Sequence, residues 1–162
     1  RINCGKLTGI DISPVQIQRA KARLGIKAKL IEAEGERLPF PDQSFERILC
    51  TEVFEHVLEP EKLLKEMKRV LKDDGIISLS VPNEKLIIFT KQILLNSGLR
   101  RVLEPKQSNW DLAAKNNLDE WHIHKYGLNL IKEQASELFK ILRIKRIPFY
   151  FIPFRYVLKL SK

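Results

Sequence analysis

An α/β fold with a mainly parallel sheet and helices on both faces is what this chain predicts, and three observations predict it. Short runs of β-branched and aliphatic residues alternate with segments whose apolar residues recur at helical spacing. The linking segments have the lengths of βαβ crossovers, which favour parallel pairing. Each strand-like run also stops on polar residues, the pattern of an open sheet that binds ligands beyond its carboxyl ends.

The first run, LTGID, reads as a buried strand from Leu7 that ends on Asp11. Pro14 to Gly25 follows with Val15, Ile17, Ala20 and Leu24 at helical spacing, opened by Ser13 and Pro14 and closed by Gly25, so both helix ends are marked. Ala28 to Ala33 is a short strand, and EGERLPFPDQSF is a loop rich in turn formers with two prolines. In Phe45 to Thr51, the continuous Ile48, Leu49 and Cys50 predict a strand buried on both faces. Glu61 to Leu71 places Leu63, Leu64, Met67, Val70 and Leu71 on one helical stripe ended by LKDDG, and Ile76 to Val81 is a strand stopped by Pro82.

Beyond Pro82 the pattern loosens. Leu86 to Leu95 predicts a helix, residues 96–117 a loop with short helical turns, and residues 85–126 together a lid or insertion over the crevice. Leu130 to Phe139 restores helical periodicity. ILRIKRIPF then alternates apolar and basic residues as a half-exposed strand, and FRYVLKL reads as a last strand.

With 162 residues, 44% hydrophobic and 30% charged, the chain forms a single domain, residues 1–162, and disorder is not its default. No apolar run approaches the ~18 residues of a membrane span. The start lacks a secretory signal pattern and two cysteines make no disulfide framework, so a cytoplasmic location is expected. Residues 1–84 carry 14 basic and 14 acidic side chains, whereas residues 85–162 carry 15 and 6, so the second part holds the whole net charge of +9. Such an excess suits an anionic substrate, nucleic acid, a membrane surface, or only a solvated face.

Asp11, Glu34 with Gly35, Thr51 with Glu52, and Asn83 stand at successive strand ends, so four neighbouring ends aim polar groups at one crevice. GIDISP, AEGERLPFPDQSF, TEVFEHVLEPEKLLKEMKRVLKDDGIISLSVPN and, more weakly, EWHIHKYGLNLIKE with ILRIKRIPF resemble, in order and spacing, the class I S-adenosylmethionine-dependent methyltransferases, especially the small-molecule group. The resemblance implies a Rossmann-like sheet, S-adenosylmethionine as cofactor, and methyl transfer to an oxygen or carbon of a small-molecule acceptor. It implies that Asp11 accepts hydrogen bonds from the cofactor's ribose hydroxyls and that Ile12 packs on the adenine. Glu34 would meet the adenine amino group, the Gly35 amide a ring nitrogen, and Thr51 and Glu52 would lie beneath the methionine moiety. Residue chemistry alone leaves other roles open: Asp11 can cap the following helix, although Ser13 is better placed, Glu34 can be a solvated loop acid, and Asn83 a turn residue.

In the resembled fold a central strand and a glycine-rich loop precede the acid, and neither precedes Asp11 here; the CGK of residues 4–6 has one glycine and cannot replace them. The sheet is therefore expected to be N-terminally incomplete, with an additional N-terminal segment, a rearranged sheet or pairing with another chain filling the gap. A non-catalytic interaction module that keeps the fold is the alternative to an enzyme.

Methyl transfer asks a protein to align two reactants, exclude water and, where the acceptor must lose a proton, supply a base. Glu52, Glu55 and His56 lie at i, i+3 and i+4, which on a helix puts all three on one face, and Glu52 and His56 are the catalytic candidates. Their E-x-x-E-H pattern resembles quinone-biosynthesis O-methyltransferases of the same family. The trio could also ligate a divalent cation, but no metal ligand set is assigned. His122 and His124, with Trp110 and Trp121, suit a pocket wall or structural packing. Arg143, Lys145, Arg146, Arg155 and Lys159 interleave with Phe149, Tyr150, Phe151, Phe154 and Tyr156. This mixture fits peripheral membrane contact better than nucleic acid, which has no recognition motif here, or it simply completes the sheet and core.

Overall fold

The computed structural model describes residues 6–96, 128–148 and 153–162. Within them the order is β1 (Leu7–Asp11), α1 (Pro14–Leu24), a 3-10 turn (Gly25–Lys27), β2 (Ala28–Glu32), β3 (Phe45–Thr51), α2 (Pro60–Val70), β4 (Leu71–Pro82), α3 (Glu84–Asn96), α4 (Leu128–Leu138), β5 (Lys140–Pro148) and β6 (Pro153–Ser161). The strands form two sheets: β1 pairs with β2 in parallel, and a four-stranded sheet runs β3-β4-β6-β5. In the latter β3 and β4 are parallel, while β6 enters antiparallel between β4 and β5. Among the described residues, β1, β2, β3 and β5 each pair along one edge only, because the strands fall into two separate ladders.

Helix α1 starts as its sequence dictates. Ser13 is the N-cap and its Oγ accepts from the Gln16 amide at 3.4 Å, Pro14 occupies the first turn, and the Gly25 amide closes the far end on the Lys21 carbonyl. Helix α2 buries Leu63, Leu64, Met67 and Val70, the stripe read from spacing. Leu63, Leu64 and Met67 meet Ile77, Leu79 and Val81 of β4, Leu158 and Leu160 of β6, and Ile131 and Ala135 of α4 in one continuous core. Strand β4 begins five residues earlier than Ile76, directly after α2. The chain folds so closely there that a Cβ on Gly75 would lie 2.6 Å from Leu71 Cδ1 and 2.8 Å from the Lys72 carbonyl oxygen, which only glycine accommodates.

Strand β3 corrects the expectation of burial on both faces. Cys50 is buried and Ile48 packs on the core, but Leu49 between them is 74% exposed. Period-two alternation sends it to the opposite face, where Leu49, Ser78, Lys159 and Arg143 stand in register across the four strands. Arg143, Lys145, Arg155 and Lys159 thus occupy that face, while Leu158 and Leu160 finish the core. Residues 85–126 fall in α3 up to Asn96; the rest of that expected lid, with Trp110, Trp121, His122 and His124, lies outside the described residues, as do Phe149, Tyr150 and Phe151.

The loop after β2 is latched onto α2. Arg69 donates to the carbonyls of Phe40 (2.7 Å) and Leu38 (3.0 Å), to Asp42 (2.8 Å), and through two nitrogens to Glu66 (2.7 and 2.8 Å). Glu66 in turn accepts the Leu38 amide at 2.8 Å. The Arg69 guanidinium first, then the Leu38 amide, hold the Glu66 carboxyl below its ordinary value against the opposing effect of burial. A carboxylate so depressed stabilises the fold above its unfolded-state value and ceases to do so as pH falls through the folded one. Glu66→Gln is therefore expected to cost ~1.5–3 kcal/mol at neutral pH, the scale of hydrogen bonds to a charged group. Urea melts at pH 7 and at about pH 3 check this, because the difference from wild type should shrink in acid as the wild-type carboxylate protonates.

Candidate functional site

The carboxyl ends of β1 and β2 bring four of the expected residues together. Asp11 pairs with Glu32 in register, and the Ala33 amide donates to the Asp11 carbonyl at 3.1 Å, which carries the pairing up to Glu34 and Gly35. Asp11 is exposed, and its Oδ1 accepts the Ser13 amide at 2.8 Å. Ser13 therefore caps α1 and Asp11 steadies the turn before it, with Oδ2 taking no hydrogen bond among the described residues. Ile12 is 67% exposed, an apolar side chain displayed beside that carboxylate. Asp11 also borders an open concavity of about 500 Å³ lined by Gln16, Arg19, Ala20, Arg23 and Leu24 of α1.

Glu34 is exposed, and its carbonyl accepts the Arg37 amide at 3.2 Å in the turn that follows β2. Gly35 has a packing reason as well as its expected amide contact: a Cβ there would sit 2.9 Å from Leu63 Cδ1. The next residue, Glu36, accepts the Glu59 amide at 2.6 Å just ahead of α2. These contacts fix the β2 loop to the second sheet's helix layer.

At the carboxyl end of β3, Thr51 is exposed and pairs with Ser80 of β4. Glu52 takes a positive φ of 52°, a left-handed conformation that costs a residue with a side chain roughly 1–3 kcal/mol. Gln43 shares this conformation at a turn, where its amide donates to the Arg69 carbonyl. The Glu52 carboxylate folds back over the sheet, its Oε1 receiving the Ser80 hydroxyl at 3.0 Å and facing Arg155 Nε of β6 at 3.1 Å. Ser80 is buried, so this bond satisfies a hydroxyl taken out of water.

The expectation that Glu52, Glu55 and His56 share one helical face is corrected. Residues 53–59 form turns rather than a helix, with the His56 amide donating to the Val53 carbonyl at 2.9 Å. The turn buries one side chain and exposes its neighbour. Glu55 is 1% exposed and His56 is exposed, its Nε2 standing 4.0 Å from Glu55 Oε1. Phe54 is fully buried and pins the turn to the core. Among the described residues no cluster of three or more His, Cys, Asp or Glu has the arrangement of a metal site. Cys50, below this turn, is no nucleophile, since burial, and secondarily the Glu55 carboxylate, pushes its thiol up to about 12. Asn83 is a helix start: its carbonyl accepts the Leu86 and Ile87 amides at 3.1 Å, and its own amide donates to Phe154 of β6 at 2.8 Å.

Spacing alone could not reveal Ser80 and Arg155 as partners of Glu52, because both contacts depend on which strands become neighbours. The Glu66 and Arg69 pair does carry a signal at i, i+3, but not its grip on the β2 loop.

Known proteins resemble this chain in sequence and in fold. A methyltransferase domain model matches residues 1–79. Sterol 24-C-methyltransferase ERG6B of Gibberella zeae is 33% identical over 137 residues, covering 82% of this chain and 33% of that protein. The 2-methyl-6-phytyl-1,4-hydroquinone methyltransferase of Synechocystis sp. is 26% identical over 132 residues, covering 80% and 41%. The chain thus spans well under half the length of these two relatives. The crystal structure of a SAM-dependent methyltransferase from Aquifex aeolicus superposes with a TM-score of 0.62 over 98% of this chain and 70% of that one, at 16% identity, a likeness of fold.

Proposed function

We propose, for a chain that belongs to the S-adenosylmethionine-dependent methyltransferase family, that the full-length protein transfers a methyl group to an oxygen or carbon of a small-molecule acceptor. The observation that carries this reading is the donor set beyond β1 and β2. An exposed carboxylate with one oxygen not hydrogen-bonded, Asp11, stands beside the exposed apolar Ile12, with the acid Glu34 across the strand pair. A ribose diol needs paired acceptors, an adenine ring needs an apolar face, and its amino group needs an acceptor, so these residues fit the adenosine half of S-adenosylmethionine. Thr51 and Glu52 would serve its amino-acid end.

When bound, the cofactor supplies an electrophilic methyl group on a sulfonium. The chain's part is to hold the reactants in line, shield them from water and take the acceptor's proton where one must leave. His56 would take it: its imidazole is exposed on a turn anchored by Phe54, and buried Glu55 stands 4.0 Å away on the side of Nε2. Names of the relatives place sterols and prenylated hydroquinones among their acceptors. Helix α3 exposes Ile87, Ile88, Phe89 and Ile93, a surface suited to an apolar acceptor of that kind or to the edge of a membrane that holds one. No described helix is long and apolar enough to cross a membrane.

Incubating the full-length protein with cofactor bearing a deuterated methyl group and a panel of prenylated hydroquinones and sterols tests the reading. Mass spectrometry should find the label on carbon or oxygen of one acceptor, and no transfer to any small molecule would contradict it. His56→Ala should slow transfer about 10²–10⁴-fold if proton removal is required.

A further inference from the structure

We infer that Arg155 of β6 is a positioning residue, fixing the carboxylate of Glu52 where the cofactor's amino-acid end is received; this rests on the methyltransferase reading above. Three observations converge on Glu52. Its backbone is in the left-handed region at the end of β3, a conformation that needs outside support in a residue with a side chain. Two donors from two different strands meet the same oxygen, Ser80 Oγ of β4 at 3.0 Å and Arg155 Nε of β6 at 3.1 Å. The Glu52 amide also donates to the Ser80 carbonyl at 3.2 Å, so main chain and side chain are tied to β4 together.

Oε1 is thereby occupied, and Oε2 accepts no hydrogen bond among the described residues. Arg155 is itself held by strand pairing, opposite Pro82 of β4 on one side and Ile147 of β5 on the other. Its position is therefore set by the sheet and not by a loop. The guanidinium and the hydroxyl orient the carboxylate and offset part of its charge, which leaves one oxygen to meet the α-ammonium group of the cofactor's amino-acid end, a group the demethylated product keeps. Of the basic residues on this strand, Arg155 is the one that faces the Glu52 carboxylate.

The test uses the full-length protein and the demethylated cofactor product as probe. Arg155→Met should weaken product binding about tenfold, as the carboxylate loses the ion pair that orients it, and Arg155→Lys should recover part of it. Glu52→Gln should weaken binding similarly, and the double variant should bind no worse than either single one, because the two residues act as a unit. Arg155→Met with wild-type affinity, or losses that add in the double variant, would overturn the assignment, whatever the melting temperature does. A wild-type protein that binds no product would instead remove the methyltransferase reading and this assignment with it.

Discussion

Asp11→Ala in the full-length protein is expected to weaken binding of S-adenosylmethionine and its demethylated product by about a hundredfold or more, while leaving the melting temperature within a few degrees of wild type. The size follows from the chemistry. Each hydrogen bond to an ionised group contributes about 1.5–3 kcal/mol, and a ribose diol offers two. The modest stability effect follows from the structure, where Asp11 is exposed and makes one short-range hydrogen bond, to the Ser13 amide, while Ser13 itself caps α1. Calorimetry and a thermal melt on the same sample separate the two effects. A large loss of stability with unchanged affinity would mean that Asp11 serves the α1 turn and nothing else.

Phe54→Ala should do the reverse. Phe54 is fully buried, in the turn that carries Glu55 and His56, and truncating such a ring costs ~3–5 kcal/mol in lost transfer energy and cavity formation. That is a large share of the 5–15 kcal/mol by which domains are stable, so the midpoint of urea unfolding should drop steeply. Because the turn loses its anchor, His56 loses its fixed place and methyl transfer should fall further than cofactor affinity does. A conservative Phe54→Leu should restore most of the stability. If Phe54→Ala unfolded at the wild-type midpoint, the packing assigned to this turn would be wrong.

The two variants mark what could be read from the chain and what could not. Asp11 was legible because a β-forming run ends on it and helix-start signals follow at once, a local pattern that needs no knowledge of neighbours. The stripes of α2 and α4 were legible for the same reason, each burying residues three or four apart. Leu49 was misread because a continuous apolar run signals burial on both faces only when both faces are covered, and the second face of β3 is not covered among the described residues. The E-x-x-E-H segment was misread because i, i+3, i+4 spacing shares a face only in a helix. Pro60 begins α2 and residues 53–59 turn instead, burying Glu55 and exposing His56. Ser80 and Arg155 were out of reach because their meeting with Glu52 requires β6 to enter between β4 and β5, a pairing fixed by tertiary structure.

We propose that the strand ends at Asp11 and Glu52 receive S-adenosylmethionine. Isothermal titration of the full-length protein with the demethylated product tests it most directly. One saturable site per chain, competition by the cofactor itself, and losses on Asp11→Ala and Glu52→Gln are expected. A folded full-length protein that binds neither molecule would contradict it and leave a non-catalytic module built on the methyltransferase fold.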